Sequence, residues 1–373
     1  MRIMKVLIPE RETPNVLATI RGLGKRHQFY LARGGRRGEM MQSRHRKGAV
    51  EIPDPTSDEE AFMEKIGEFE GSFDVLMPFG HNATVAISQN LEAIGIPTQV
   101  PSYSILRTGH DKALTVEACI RLGVPCPRTW SEHEDPPSYP VVIKARKNCG
   151  IQTGIRYARD RVELEAGLEE MKRQPNVGNL SRYDDPLVQE MVPGPIHDCV
   201  GIYQNGEPKA LLTQVRAETT PVKGGVGAYN RTTENPELIE LTRRLLDGIS
   251  WHGPFQAEYK LDSRDDRYKL LELNPKMWGT MKLSMKAGIN VPEMAMEVAL
   301  GRDVEPSFDY RFGVKNIWPF PLMWRNLIEE PSPGRLAKLF YYPVSLSDPK
   351  PDLYRMLVSL ANTGDYINSA DSR

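Results

Sequence analysis

The stretches PFQAEYKLD (254–262) and RYKLLELN (267–274), joined by the turn-like SRDD, have the pattern of two strands in a hairpin. Side chains alternate between the faces of a strand, so Glu272 and Asn274 share one face and the leucines that alternate with them share the other. Pairing of the strands would bring Glu258 beside Glu272. Carboxylate and amide oxygens suit Mg²⁺, which completes its octahedron with water and substrate phosphates. The pattern equally fits the solvated outer face of an antiparallel hairpin.

A lysine and a glycine-bearing loop precede this hairpin. Lys144 ends the apolar run VVI, and a lysine in a buried strand needs an anionic partner or a route to water. The loop that follows, NCGIQTGI, has two glycines, as expected where the backbone approaches a phosphate. It matches neither GxGxxG nor GxxxxGK[ST], so the Rossmann and Walker interpretations are excluded. Lys112, at a predicted helix start, is by itself typical of a surface lysine.

Composition narrows the class of protein. The chain has 373 residues, of which 40% are hydrophobic and 26% charged, and a formal net charge of −1. These values predict a globular protein of two or three domains at ~150 residues per domain. Near-neutral charge provides no global field for nucleic acid or an acidic membrane. The basic segment 33–47 lacks interleaved aromatic residues and is more typical of a solvated loop than of a site for RNA or an anionic substrate.

The chain shows no targeting or metal-binding cysteine pattern. Its apolar N-terminal run is too short for the hydrophobic region of a signal peptide, and no stretch approaches the ~20 apolar residues of a membrane span. The cysteines form no CxxC pair and have no histidine at zinc spacing. We therefore expect a cytoplasmic protein with free thiols at Cys119, Cys126, Cys149 and Cys199.

The pattern of elements changes near residue 100. Strands and helices alternate over residues 1–100, which predicts a small parallel α/β sheet with ligands beyond its strand ends at Glu10 and at 78–81. A helix then starts at the sequence DK, and strands dominate up to Asn274. Residues 284–301 are predicted to form one helix. The tail from Val304 is rich in proline and aromatic residues and receives no assignment.

The order of these motifs resembles the ATP-grasp superfamily. The motifs are the helix-start DK, the strand lysine before a glycine loop, the segment LVQEMVPG, Glu258, and ELNPK at 272–276. The resemblance covers about residues 100–305. It implies a small N-terminal parallel α/β domain followed by a two-lobed ATP-grasp fold with antiparallel sheets. The run ELNPK-x-WGT is similar to carboxylate–amine ligases such as D-aspartate ligase, while carbamoyl phosphate synthetase and biotin carboxylase share the core.

The resemblance also implies domain bounds. They are a pre-ATP-grasp domain at 1–100, a small lobe with the phosphate loop at 101–186, a large lobe with the metal site at 187–305, and a C-terminal extension of unassigned structure at 306–373.

Each residue that matches a family motif is implied to have a role. The carbonyl of Glu190 and the amide of Val192 would contact adenine. The residues implied to bind ATP are Lys112, Lys144, Gly150, Gly154, Gln189, Glu190, Met191 and Val192. Those implied to hold Mg²⁺, with Mn²⁺ as a second candidate, are Glu258, Glu272 and Asn274.

The sequence departs from the family pattern at two places. Lys276 stands where arginine is common, so a bidentate contact to an oxyanion would become a point-charge contact. The acidic ribose contact is missing after Gly194, and Asp198 is a candidate substitute.

Three further residues are candidates for the active site. In QVRAETTPVKGGVGAYN (214–230), the resemblance implies that Arg216 is an active-site cation near the transferred phosphate, with Lys223 a weaker candidate. The alternative is a flexible loop between strands. His81 is a candidate substrate contact, or else a surface histidine.

These inferences predict an ATP- and Mg²⁺-dependent ligase that activates a carboxylate as an acyl phosphate and joins it to an amine, with Arg216 and Lys276 as catalytic residues. The expected partners are small molecules, not nucleic acid or membrane, and a homodimer is a candidate assembly. Two alternatives stay open. One is an ATP-grasp enzyme with bicarbonate or a thiol as acceptor, and the other is a nucleotide-binding regulatory protein without turnover.

Overall fold

The structure is a computed structural model that describes residues 2–10, 14–33, 40–132, 134–147, 154–178, 180–222, 225–340 and 344–364. Within these ranges, no helix has both the length and the apolar character needed to cross a bilayer.

The N-terminal part is a parallel α/β unit, as predicted. Its sheet has the order β3-β2-β1-β4, and every pairing is parallel. The strands are β1 (Lys5–Ile8), β2 (Gln28–Arg33), β3 (Arg46–Glu51) and β4 (Val75–Leu76). The helices are α1 (Pro14–Leu23), α2 (Glu59–Gly67), α3 (His81–Gln89) and α4 (Tyr103–His110). Neither β2 nor β3 was identified individually from the sequence.

Both faces of this sheet are covered. Val6 and Ile8 belong to one apolar cluster with α1, whereas Leu7 belongs to a second cluster on the opposite face. All three side chains are 0% exposed. Burial on both faces explains why β1 is continuously apolar instead of alternating.

The next part is a small antiparallel sheet of order β5-β8-β6-β7. Its strands are β5 (Thr129–Trp130), β6 (Val141–Lys144), β7 (Ile155–Ala158) and β8 (Leu187–Glu190), and its helices are α5 (Lys112–Leu122) and α6 (Arg161–Lys172). The carboxylate of Asp111 accepts the N–H of Ala113 at the start of α5, and Gly123, at φ +66°, ends the helix. These caps fix Lys112 at the first turn.

The largest sheet has six strands in the order β13-β12-β9-β10-β11-β14. They are β9 (Ile196–Gln204), β10 (Glu207–Thr220), β11 (Val226–Thr233), β12 (Gly253–Asp262), β13 (Arg267–Asn274) and β14 (Lys315–Ile317). The associated helices are α7 (Pro236–Gly248), α8 (Met281–Ala287) and α9 (Val291–Ala299). The tail continues as α10 (Trp324–Glu329), α11 (Pro333–Phe340) and α12 (Pro349–Ala361).

The helix predicted over 284–301 is wrong in one respect, because the structure divides this region between α8 and α9. Gly288 has a φ of +116° and ends α8, and Asn290 is the N-cap of α9. Glycine adopts this left-handed conformation without the strain that a side chain would impose. Pro292, in the first turn of α9, fits a helix start.

The β12–β13 hairpin has the predicted pairing, with Glu258 opposite Glu272. A register shift follows between Glu258 and Tyr259. It corrects one detail of the alternation: Leu270, 2% exposed, enters the core, while Leu271 is only half-buried. Leu273 is buried as predicted. The bulge therefore changes which side chains of β13 face the core, directly next to the two carboxylates.

Gly194, between β8 and β9, generates a stability prediction. Its φ is +122°, and an added Cβ would lie 1.9 Å from the carbonyl oxygen of Leu261. That backbone cannot retreat easily, because the Leu261 amide donates to the Pro195 carbonyl. Gly194→Ala should therefore lower the free energy of unfolding by more than ~3 kcal/mol. Urea denaturation of the purified variant measures this change.

Gly313→Ala is the matched control. Its φ is +71°, but among the described residues no atom other than those of its chain neighbours lies within 4 Å of the added Cβ. The variant should therefore lose only the ~1–2 kcal/mol that the backbone strain costs. Equal losses in the two variants would contradict the clash at Gly194.

Candidate functional site

Arg216 lies at the centre of a buried ion cluster on three neighbouring strands. Its Nη2 lies 2.8 Å from Asp198 Oδ1 and 2.6 Å from Glu258 Oε1. Burial disfavours the charged guanidinium, but Asp198 and Glu258 outweigh this effect and raise the pKa of Arg216. Arg216 is therefore a permanent cation held in a fixed orientation.

The position of Asp198 does not fit the ribose contact proposed for it. The side chain is completely buried, and its oxygens accept hydrogen bonds from Gln214 at 2.9 Å and Gln256 at 3.1 Å in addition to Arg216. Both oxygens are thus bonded within the protein. Asp198 instead holds the Arg216 guanidinium in place. This role becomes visible only in the folded structure, where β9 packs against β10 and β12.

The three predicted metal ligands meet beside this cluster. Asn274 Nδ2 donates to Glu272 Oε1 at 2.9 Å and lies 3.3 Å from Glu258 Oε1. Burial raises the pKa of Glu258 to about 7; Arg216 opposes this shift, and Glu272 adds to it. Two converging carboxylates favour a cation between them.

This donor set fits Mg²⁺. Within the described ranges no group of three or more His, Cys, Asp or Glu side chains is arranged to hold a metal ion. The candidate ligands here are the carboxylates of Glu258 and Glu272 and the amide oxygen of Asn274. The amide can present that oxygen by a flip. Water and phosphate oxygens complete the shell of Mg²⁺, which keeps few protein ligands.

Three lysines act electrostatically on Glu272. Burial raises the pKa of Glu272, but Lys112, Lys144, the hydrogen bond from Asn274 and Lys276 together outweigh it, and the net pKa is lowered. Lys144 is 8% exposed, and its pKa is lowered to about 8 by burial first and then by Lys112. A cluster of cations beside a carboxylate pair can bind a polyphosphate together with its metal ion.

The phosphate loop is only partly described. The carbonyl of Gly154 accepts the N–H of Ala145 at 2.9 Å, where the loop joins β7. Gly150 and Lys223, both predicted site residues, lie outside the described residues.

The predicted adenine hinge follows β8. Gln189 Nε2 donates to Thr129 Oγ1 at 2.9 Å, and its Oε1 is buried with no partner among the described residues. The Glu190 carboxylate pairs with Arg264 at 2.5 Å. Met191 is half-buried, and Val192 is 3% exposed.

The backbone of this hinge is held by contacts from β12 and from the residue before β5. Lys260 Nζ donates to the Val192 carbonyl at 2.8 Å, and the Glu190 amide donates to the Arg128 carbonyl at 2.9 Å. These contacts fix the path of the chain along the candidate adenine pocket. Neither Lys260 nor Arg128 was recognised from the sequence.

His81 is a buried residue, so the surface-loop alternative is wrong. Its Nε2 lies 2.7 Å from His110 Nδ1, and the two side chains are 8% and 1% exposed. Burial lowers the pKa of His81 well below its usual value, and nearby Lys276, His110 and Lys112 lower it further. A neutral His81 therefore lies near the same lysines as Glu272.

Glu10 was noticed in the sequence only as a strand end. Its carboxylate accepts the N–H groups of Phe79 at 2.8 Å and Gly80 at 2.6 Å, next to His81. It thereby orders the turn that precedes α3. The His81–His110 contact had no signal in the sequence, because it depends on how α3 packs against α4.

Comparison with known proteins agrees with this architecture. Residues 205–317 match a family model described as ATP-grasp in the biosynthetic pathway with Ter operon. No curated protein sequence matches the chain significantly.

Solved structures share the fold at low sequence identity. An L-amino acid ligase from Bacillus licheniformis superposes with a TM-score of 0.63 and 15% identity, over 82% of this chain and 75% of that chain. The biotin carboxylase domain of Hydrogenobacter thermophilus 2-oxoglutarate carboxylase, in complex with MgADP, ADP and bicarbonate, gives 0.66 and 18%, over 84% and 74%. Staphylococcus aureus N5-carboxyaminoimidazole synthetase complexed with ADP gives 0.64 and 12%, over 85% and 81%. The chain has the ATP-grasp fold, which confirms the fold class expected from the sequence.

The burial of Lys144 generates a pH-dependent prediction. Because its pKa falls from the ordinary 10.5 to about 8, the folded state without ligand penalises the charged form. This destabilisation of the folded state is complete below pH 8, decreases between pH 8 and pH 10.5, and is absent above pH 10.5. Lys144→Met should therefore raise the melting temperature at pH 7, and its advantage should shrink by pH 9.5. Thermal unfolding across this pH series measures it.

Lys172→Met, at the surface of α6 where the lysine pairs with Glu132, is the control. It should change the melting temperature little at any of these pH values. A Lys144→Met variant that melts below the wild type at pH 7 would contradict the burial penalty.

Proposed function

We propose that this protein, built on the ATP-grasp fold, is an ATP- and Mg²⁺-dependent ligase that activates a carboxylate as an acyl phosphate and joins it to an amine. The observation that carries the proposal is the pairing of Glu258 with Glu272 beside Asn274, with three lysines and Arg216 around them. Two structural relatives were solved in complex with MgADP or ADP, and they support the use of this fold for nucleotide binding.

Lys112 and Lys144 would bind the phosphates of ATP. Lys112 starts α5, and its amide donates to the Arg146 carbonyl at 3.1 Å, while the Arg146 side chain pairs with Asp111 at 2.9 Å. This arrangement holds the first turn of α5 against the exit of β6. The backbone that carries Lys112 and Lys144 would therefore be held in place before the nucleotide arrives, which would lower the cost of binding.

Glu258, Glu272 and Asn274 would hold Mg²⁺. The bound metal would neutralise charge between the attacking carboxylate and the phosphates. Arg216 would contribute a further cation that is already oriented. Among the described residues, four of its five N–H groups contact Asp198, Glu258 and the Gly225 carbonyl, so one remains to contact the transferring phosphoryl group.

Lys276 is the proposed contact for the oxyanion of the acyl phosphate. It lies in a tight turn after β13, where its amide donates to the Asn274 carbonyl at 2.9 Å. His81 would face the substrate from the N-terminal unit, because it lies near Lys276 and Lys112. The proposed reaction needs no side-chain nucleophile, since the substrate carboxylate attacks the γ-phosphate itself.

The proposed carboxylate and amine are small molecules. The L-amino acid ligase is similar to this chain only in fold, and its substrate class is one candidate for the panel tested below. Assembly as a homodimer stays a prediction, and light scattering after size-exclusion chromatography would test it.

Trapping the intermediate tests the reaction. Purified protein with ATP, Mg²⁺, hydroxylamine and pooled amino and carboxylic acids should form a hydroxamate of the true carboxylate, because hydroxylamine intercepts an acyl phosphate. Glu272→Gln should reduce both ADP release and hydroxamate formation by at least ~100-fold, since it removes a charged metal ligand at nearly constant size. Coupled ADP detection and mass spectrometry are the measurements.

Glu240→Gln, on the exposed face of α7, is the matched control and should keep full activity. Normal turnover in Glu272→Gln would overturn the metal site. ADP release that requires bicarbonate, without any hydroxamate, would replace the amide-ligase proposal with a carboxylase-like one. Nucleotide binding without turnover across the whole panel would favour a regulatory protein.

A further inference from the structure

The contact between His81 and His110 lies beside the elements that carry the candidate site. His110 ends α4 and stands two residues before Lys112, which starts α5. Its other chain neighbour, Gly109, lies against β13, because an added Cβ would be 3.1 Å from the Leu273 carbonyl oxygen. Leu273 stands between two of the candidate metal ligands in the sequence. The histidine pair is therefore built into the same wall as the first turn of α5 and the metal hairpin.

The position of His81 is fixed at both ends of the residue. His81 is the first residue of α3, and the N–H of Gly80 before it donates to the Glu10 carboxylate at 2.6 Å. At the far end of the side chain, Nε2 lies 2.7 Å from His110 Nδ1. One of these two nitrogens donates the hydrogen and the other accepts it. The ring is thus oriented before any substrate binds.

The second ring nitrogen of His81, Nδ1, is open. It has no hydrogen-bond partner among the described residues, and it is not fully enclosed. The side chain is 8% exposed, so its access to solvent is confined to a small area. When Nε2 donates to His110, Nδ1 carries a lone pair and can accept a proton. Neutral histidine with a lone pair available is the side chain that most often serves as a general base.

The second half of the proposed reaction requires such a base. At neutral pH an amine is mainly an ammonium ion, which has no lone pair for attack on a carbonyl carbon until it loses a proton. The attack takes place on the acyl phosphate, whose oxyanion Lys276 is proposed to contact. Among the lysines that act on His81, Lys276 has the largest effect. His81 therefore lies near the place where the amine must react.

The surrounding groups would make the basicity of His81 depend on the substrates. Without ligand, burial lowers the pKa of His81 well below its usual value, and Lys276, His110 and Lys112 lower it further, so the ring is neutral. Phosphate groups bound to the two lysines would offset their positive charge. The ring would then gain basicity when the acyl phosphate is in place.

We propose that His81 is the proton acceptor for the amine substrate, a role that rests on the proposed ligase function. Nδ1 of His81 takes one proton from the ammonium group as the nitrogen attacks the carbonyl carbon of the acyl phosphate. The bond from that carbon to the phosphate oxygen then breaks, and a second proton from the nitrogen leaves with inorganic phosphate as HPO₄²⁻. His81 returns its proton to water. His110 is a positioning residue that holds the His81 ring in the required orientation and tautomer.

Two nucleophiles test this role, because hydroxylamine is largely unprotonated at neutral pH and needs no base. Purified full-length protein receives ATP, Mg²⁺ and the pooled amino and carboxylic acids, with or without hydroxylamine, and mass spectrometry measures amide and hydroxamate. His81→Gln can keep a donor toward His110 but has no basic nitrogen. It should lower amide formation at least ~100-fold, while hydroxamate formation stays within ~threefold of the wild type.

Variants of His110 test the positioning role. His110→Asn retains a polar atom near the position of Nδ1, so both products should stay within ~threefold of the wild type, whereas His110→Leu removes the contact and should lower amide formation at least ~tenfold. Hydroxamate formation should be retained in both. His252→Gln is the matched control. His252 contacts Asn205 instead of another histidine, and its replacement should leave both products unchanged.

The two products separate the possible outcomes. Retained hydroxamate formation shows that a variant is folded and still forms the acyl phosphate. Normal amide formation in His81→Gln would overturn the proton-acceptor role, and so would an equal loss of both products in a variant that melts like the wild type. If His81→Gln does not fold, His81→Asn, which also lacks a basic nitrogen, is judged by the same criteria. Absence of hydroxamate with the wild type would instead overturn the proposed ligase function.

Discussion

The buried guanidinium of Arg216 is the constraint on which the candidate site depends. A charge taken out of water must be paired and hydrogen-bonded, and Asp198 and Glu258 are the groups that do so. They come from β9 and β12, on one side of the β10 strand that carries Arg216. Asp198 is paired with Glu258 in one ladder and with Gln214 in the other. A slip of one residue would break the cluster and turn polar side chains into the core.

The two faces of β9 connect the site to the rest of the molecule. Val200 and Ile202, which lie on the same face as Asp198, pack in one apolar cluster with β1 and α1. On the other face, Cys199 and Tyr203 pack in a second cluster with α5 and α7. The face that carries the ion cluster thus also carries the N-terminal unit, while the opposite face positions the helix that begins at Lys112. Packing on both sides sets the distance between Lys112 and the carboxylates.

Local periodicity was enough to predict the hairpin with Glu258 and Glu272, the start of α5 at Lys112 and the strand that ends at Lys144. These features depend on spacings of two to four residues, which the sequence displays directly. The burial of Asp198 and its partners were not foreseen, because they depend on the register of β9 against β10 and against β12, which lies much further along the chain. The His81–His110 contact and β14 are likewise set by tertiary packing. Strand β3 was missed because its side chains, in RKGAVE, are only half-buried or exposed.

The charges of the site divide into two groups with different requirements. Asp198 neutralises Arg216 inside the protein, so neither depends on a ligand for its partner. Glu258 and Glu272 face each other and would gain from a cation, whereas Lys112, Lys144 and Lys276 would gain from an anion. A bare metal ion would relieve the carboxylates but add repulsion toward the lysines, and a bare polyphosphate would do the reverse. The arrangement therefore favours an anion and a divalent cation that enter together, which is the form in which a metal–nucleotide complex presents its charges.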